Sequence, residues 1–236
     1  MADTVRVLDE PAALVRFVRA NAIDRVVFYG LGRVLGAERS EARFAALVRD
    51  LRAAGVSTIG APIAAASRVD AVVAYDRGHP EARIDLIVTE LEYWHDCAGE
   101  GVRACFAPMD ELLATMRITA DREDLQVGAY LGYPTAAEAR RIAARVDFVF
   151  LNYAVRAPGP WRRERLRDLA GVEIWPIFYA RGEVDMYAWL AAHGLDAAEA
   201  AFLADAELPI GGFQYFSYEA MPARPVPAAD RPRATP

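Results

Sequence analysis

Residues 40–63, SEARFAALVRDLRAAGVSTIGAPI, hold two periods in succession. Over the first part apolar side chains recur at helical spacing, with Phe44, Leu47, Val48 and Leu51 on one face and Gly55 as the stop. Ser40 stands where an N-cap is expected. Residues 56–63 then change to a short apolar run of strand length. A helix feeding directly into a strand is one step of a βα alternation, and the fold depends on whether that step recurs.

It recurs along the whole chain. Before it come a strand expected in TVRVL (4–8), a helix from Pro11 to Ala22 and a strand in DRVVFYGL (24–31). After it come a helical stretch from Arg68 to Asp76, a fourth strand in RIDLIVTELEYW (83–94) and a fifth in LQVGAYLGY (125–133). Thr135 and Glu138 form a capping box that opens the helix TAAEARRIAARV (135–146). The sixth strand is DFVFLNYAV (147–155), the seventh VEIWPIFYA (172–180) and the last GGFQYFSYEAM (211–221), with helices expected over 162–170 and 186–204.

Strands alternating with helices pair in parallel, and eight of them within 236 residues suit a closed barrel better than an open sheet. The expected architecture is therefore α/β: a single compact (β/α)8 TIM barrel over residues 1–221. A Pro/Ala-rich tail over 222–236 has too little apolar content to pack, and disorder is expected there. An open doubly wound sheet is the other candidate, but no G-x-G-x-x-G follows an early strand. The segment GLGRVLG (30–36) reads as an ordinary βα loop.

Composition narrows the chemistry. The chain is 54% hydrophobic, enough for a large core, and its net charge of −6 comes without a basic cluster. No nucleic-acid partner and no anionic membrane surface are indicated. No apolar run approaches a membrane span, and the N-terminal segment lacks the charged and apolar regions of a leader. A soluble protein is expected, with its compartment open. Cys97 and Cys105 can form a disulfide or remain two free thiols. All 27 basic residues are arginine, which removes Schiff-base and phosphate-loop lysine chemistry. His79, His95 and His193 are isolated, so no catalytic metal cluster is expected. Carboxylates, tyrosines and thiols remain.

In a barrel, chemistry gathers at the carboxyl ends of the strands. The end of the fourth strand carries Glu90 and Glu92 in an apolar setting of Ile84, Leu86, Ile87, Val88, Leu91, Tyr93 and Trp94. If the strand continues through them, both carboxylates face the axis with Cα atoms roughly 6.5 Å apart. Mutual repulsion would then raise the pKa of one, as a general acid requires. His95 and Asp96 adjoin the pair, and Glu219 follows the last strand.

IDLIVTELEYW (84–94) resembles the fourth-strand signature D-x-x-D-x-D-x-E-Y of family-18 glycoside hydrolases, the chitinases and endo-β-N-acetylglucosaminidases, which are TIM barrels. The resemblance implies Glu92 as the general acid, Glu90 at the acid that positions the substrate's acetamido group, and Asp85 at the first Asp, with Val88 replacing the second. FVFLNYAV (148–155) resembles the sixth-strand M-x-Y-D. It puts Tyr153 on the substrate-holding tyrosine and Ala154 in place of the Asp. IGGFQYFSYE (210–219) is similar to G-G-x-x-x-W, with Phe216 in place of the tryptophan under the sugar, and VSTIGAPI faintly resembles the third-strand S-x-G-G.

Flat aromatic faces suit sugar C–H surfaces. Tyr29, Tyr130, Tyr133, Trp94, Tyr153, Trp175, Tyr179 and Phe216 cluster near strand ends. The resemblance implies a glycoside hydrolase cleaving a β-linked, N-acetylhexosamine-containing glycan with Glu92 as acid and Glu90 assisting. Tyr29, Tyr130, Trp175, Tyr179, Phe216 and Asp85 are the expected substrate contacts. No metal or organic cofactor is implied. Two alternatives stay open: a non-catalytic carbohydrate-binding barrel, favoured by Val88 and Ala154, and a barrel using the carboxylates for proton transfer on a small metabolite.

Overall fold

The computed structural model describes residues 2–93, 106–132, 134–152, 169, 171–179, 199–200 and 210–216. Its strands and helices follow the chain as β1 (Ala2–Asp3), α1 (Thr4–Asp9), α2 (Pro11–Ala20), β2 (Arg25–Tyr29), α3 (Glu38–Ala53), β3 (Thr58–Ile63) and α4 (Ala66–Gly78). They continue with β4 (Leu86–Thr89), α5 (Phe106–Glu123), β5 (Gln126–Leu131), α6 (Ala136–Ala143), β6 (Phe148–Asn152), β7 (Glu173–Tyr179) and β8 (Gln214–Phe216). The eight strands pair in parallel in sequence order, an α/β arrangement consistent with a TIM barrel. The expected helices at 162–170 and 186–204, the tail at 222–236 and both cysteines lie almost wholly outside the described residues.

Two local expectations change. TVRVL is helix α1 rather than a strand: Thr4, Val7 and Leu8 are buried at helical spacing, and the Asp3 side chain caps it by accepting from the Arg6 N–H at 3.1 Å. The strand is only Ala2–Asp3, which pairs with Phe28 and Tyr29 at the top of β2. Helix α3 begins at Glu38 with Ala37 as N-cap, so Ser40 lies inside its first turn. Gly55, at φ 103°, does end the helix region, and the Thr135–Glu138 capping box forms as expected.

The core has two layers. Between helices and sheet, the fully buried Phe44 meets Phe28 edge-on at 5.0 Å and Tyr75 at 5.5 Å. Burial of one such ring contributes about 2–3 kcal/mol. Inside the barrel, Val27, Leu86, Val88, Phe148, Phe150, Trp175 and Ile177 form a second cluster. Its large rings come from β6 and β7, and glycines on β3 and β5 make the space. A Cβ on Gly128 would lie 2.6 Å from the Phe148 ring, and one on Gly60 2.9 Å from Val27.

At the lower ends of the strands one device occurs twice. Asp85, just before β4, accepts from the Ile59 N–H of β3 at 2.7 Å and pairs with Arg52 of α3. Asp147, just before β6, accepts from the Val127 N–H of β5 at 2.7 Å and pairs with Arg117 of α5. Each carboxylate ties two strands to the helix that precedes the first of them, fixing strand register at the bottom of the wall.

Candidate active site

Strand β4 ends sooner than its apolar sequence suggests. The buried Thr89 hydroxyl accepts the Leu91 N–H at 3.2 Å, a side-chain bond two residues along that competes with the sheet ladder. The Glu90 N–H, donating to the Ile63 carbonyl at 3.1 Å, extends the pairing with β3 by one residue. Glu90 and Glu92 therefore lie just beyond Thr89, the last residue of β4, rather than within the strand.

The alternation of β4 still sets Glu90 on the inner face, one step above Leu86 and Val88. It is half-buried, and its carboxyl is pushed up from 4.5 to about 7, first by burial and then by the charge of Glu92. The charge of Glu92 thus acts on Glu90 at the carboxyl end of β4. Tyr130 on β5 is half-buried and packs on the inner cluster below them. Tyr29, last residue of β2, is 48% exposed, and its carbonyl accepts the Thr4 hydroxyl at 2.6 Å.

A residue that sequence reasoning treated only as apolar surroundings holds the turn after β4 in place. Tyr93 is 1% exposed, meets Phe106 edge-on at 5.3 Å, and donates its hydroxyl to Glu138 Oε2 at 3.2 Å. The same Oε2 accepts the Thr135 N–H at 2.7 Å. Burial and Glu138 both raise the pKa of Tyr93, so the hydroxyl keeps its proton. Alternation along the chain after β4, with Leu91 and Tyr93 opposite Glu90 and Glu92, was the available signal.

The remaining expected site residues do not gather here. Asp85 lies at the opposite, amino-terminal end of β4, where it accepts the Ile59 N–H and pairs with Arg52. Trp175 is 6% exposed and faces the lower end of the barrel, its ring 4.2 Å from the Arg25 guanidinium and its Nε1 donating to Glu173 Oε1 at 2.9 Å. The strand positions of Tyr179 and Phe216 pair with each other at the ends of β7 and β8. Tyr153, Trp94, Tyr133, His95 and Glu219 lie outside the described residues. Among the described residues no group of three or more His, Cys, Asp or Glu could hold a metal ion. None of the described helices is long and apolar enough to cross a membrane.

No protein-family model matches the chain, and no curated protein matches it in sequence. Solved structures do resemble it. A GH18 chitinase from Pseudoalteromonas aurantia superposes with a TM-score of 0.57 at 9% identity, over 85% of this chain and 88% of the chitinase. A mandelate racemase/muconate lactonizing protein from Paracoccus denitrificans gives 0.53 at 14% identity, over 93% of this chain and 55% of that one. A xylose isomerase domain protein from Planctomyces limnophilus gives 0.50 at 11% identity, over 87% and 86%. At such identities the likeness is one of fold.

Proposed function

We propose that the chain is a glycoside hydrolase-like barrel that cleaves a β-linked, N-acetylhexosamine-containing glycan. The observation that carries this reading is the carboxylate pair at the carboxyl end of β4, in which Glu90 holds a proton up to about pH 7 beside Glu92. In this reading Glu92 protonates the leaving oxygen, Glu90 assists at the anomeric centre and Tyr153 holds the substrate. Because the raised carboxyl is that of Glu90, Glu92 acts as acid only after taking up the proton that Glu90 holds in the free protein, which leaves Glu90 as the charge-stabilising base. Tyr29 offers an exposed aromatic side chain at the end of β2, two strands away, and Tyr130 a half-buried one on the adjacent β5. The chitinase-like superposition agrees with this reading at the level of fold.

A binding-only barrel is the second reading, and one observation favours it. Val88, where the resembled family carries an acid, is 2% exposed in the inner cluster, so hydrocarbon sits where a proton-sharing carboxyl would. Product analysis by mass spectrometry on chito-oligosaccharides, N-glycans and neutral β-glucans separates the two. The hydrolase reading expects cleavage of the N-acetylated substrates and a loss of about a hundredfold or more in Glu92→Gln, the scale of a general acid. Glycan binding by wild type without any cleavage would replace it with the binding-only barrel.

A further inference from the structure

At the end of the barrel away from the carboxylate pair, the described residues leave a gap in the wall beside β2. Strand β1 pairs with β2 only at Phe28 and Tyr29, so among the described residues no strand flanks Arg25–Val27 on that side. The gap is a cavity of about 270 Å³ between α2, the start of β2 and the start of β8. Its walls are mostly apolar, with Phe17, Val18, Val27, Phe150 and Trp175 among them.

Two polar side chains in this apolar wall carry buried atoms without a hydrogen-bond partner. Arg25 lies over the rings of Trp175 and Phe148, 4.2 and 5.7 Å from their centroids, and its Nε and Nη1 are buried without a hydrogen bond. Among the described residues no carboxylate pairs with it. Gln214, 8% exposed, lines the same cavity, and its Oε1 is buried without a donor. Cation–π contact offsets part of the cost of desolvating a guanidinium but supplies no acceptor. A half-buried cation and a buried amide oxygen, both unsatisfied and both facing one apolar cavity, form the usual pattern of a small-molecule site: apolar walls and a few convergent polar groups.

We propose that this cavity binds a small organic acid with an apolar or aromatic body, its carboxylate on Arg25 and a donor group or bridging water on Gln214 Oε1. The acids on the rim select the charge. Glu199, which accepts the Tyr215 hydroxyl, and Asp24 also line the cavity, so a monoanion is favoured over a dianionic phosphate. The site is separate from the carboxylate pair and does not depend on its chemistry.

Isothermal titration of the full chain with phenylacetate, indole-3-acetate and benzoate tests this, with phenylacetamide and phenyl phosphate as controls. The expected result is saturable one-to-one binding of at least one carboxylate. It should be at least tenfold weaker for the amide, phosphate, Arg25→Gln and Gln214→Leu, and unchanged in Glu92→Gln. If Arg25→Gln fails to fold by circular dichroism, Gln214→Leu decides alone. No binding of any carboxylate to wild type would overturn the proposal, as would affinity indifferent to Gln214→Leu or lost in Glu92→Gln. A wild-type dimer that Gln214→Leu dissociates would overturn it in favour of a second copy filling the gap.

Discussion

The Tyr93 hydroxyl and Glu138 Oε2 meet at 3.2 Å, joining the turn after β4 to the first turn of α6. Glu138 closes the α6 capping box with the same oxygen, so one buried carboxylate serves both a helix start and the loop that carries Glu92. Tyr93→Phe leaves the cap but removes a hydrogen bond to a charged acceptor, at a cost of about 2 kcal/mol. For a chain of this size that lowers Tm by roughly 4–8 °C in thermal denaturation. An unchanged Tm would mean that the phenol is solvated or re-paired.

Asp85 is expected to act on stability and not on substrate. Asp85→Asn keeps an oxygen for the Ile59 N–H but gives up the Arg52 ion pair, a half-exposed interaction worth about 1 kcal/mol. Asp147→Asn should cost a similar amount, and the two losses should add, because the clamps share no partner. Urea titration of both single variants and the double variant measures this. A raised KM for Asp85→Asn on any cleaved glycan, with stability intact, would return Asp85 to the substrate site.

Glu90 makes stability depend on pH. Folding raises its carboxyl from 4.5 to about 7, so the folded state holds the proton more tightly. The resulting stabilisation is complete below about pH 4.5 and is lost as pH rises through 7. Glu90→Gln should therefore match wild type near pH 4 and exceed it at pH 8. The shift corresponds to ~3 kcal/mol at most, and about 1–2 kcal/mol after allowance for partial solvation. Equal pH dependence of the two proteins would show that Glu90 titrates as an ordinary surface acid.

Asp76 follows the same sign in a different place. It sits in α4, 8% exposed, with Oδ1 accepting the Ile84 N–H at 2.8 Å and Oδ2 buried without a partner. Burial lifts it from 3.8 to about 6. Its contribution is present below pH 3.8 and lost as pH rises through 6. Asp76→Asn preserves the acceptor for Ile84 and should stabilise the fold by about 1–2 kcal/mol at pH 7.5 and by nothing near pH 3.5. Paired denaturant curves at those pH values decide it.

The parts of this fold written in local chemistry were legible in the chain. The stop at Gly55 and the box at Thr135 and Glu138 each depend on residues a few positions apart, and the strands after β1 announce themselves by apolar runs. What escaped reading was where two local rules compete. TVRVL fits both an alternating strand and a helical face, and the Asp3 cap decides for the helix. LIVTELEYW reads as one long strand until the Thr89 hydroxyl captures the Leu91 N–H. Asp85 was legible by another route: IDLIV at 84–88 and VDFVF at 146–150 are the same pattern, an acid immediately before a buried strand. The position of Trp175 was not, since alternation assigns it to the inner face without saying toward which end its ring leans.

The missing side chain of Gly128 and the ring of Phe148 are two halves of one volume. Neither position can vary on its own: a methyl at 128 has no room beside the ring, and a smaller residue at 148 opposite the glycine leaves a void. Among descendants of this sequence the two should therefore co-vary, a larger residue at 128 travelling with a smaller one at 148, as should Gly60 with Val27. The inner wall of the barrel would drift through pairs of compensating exchanges, while the Glu90 turn above it keeps its place.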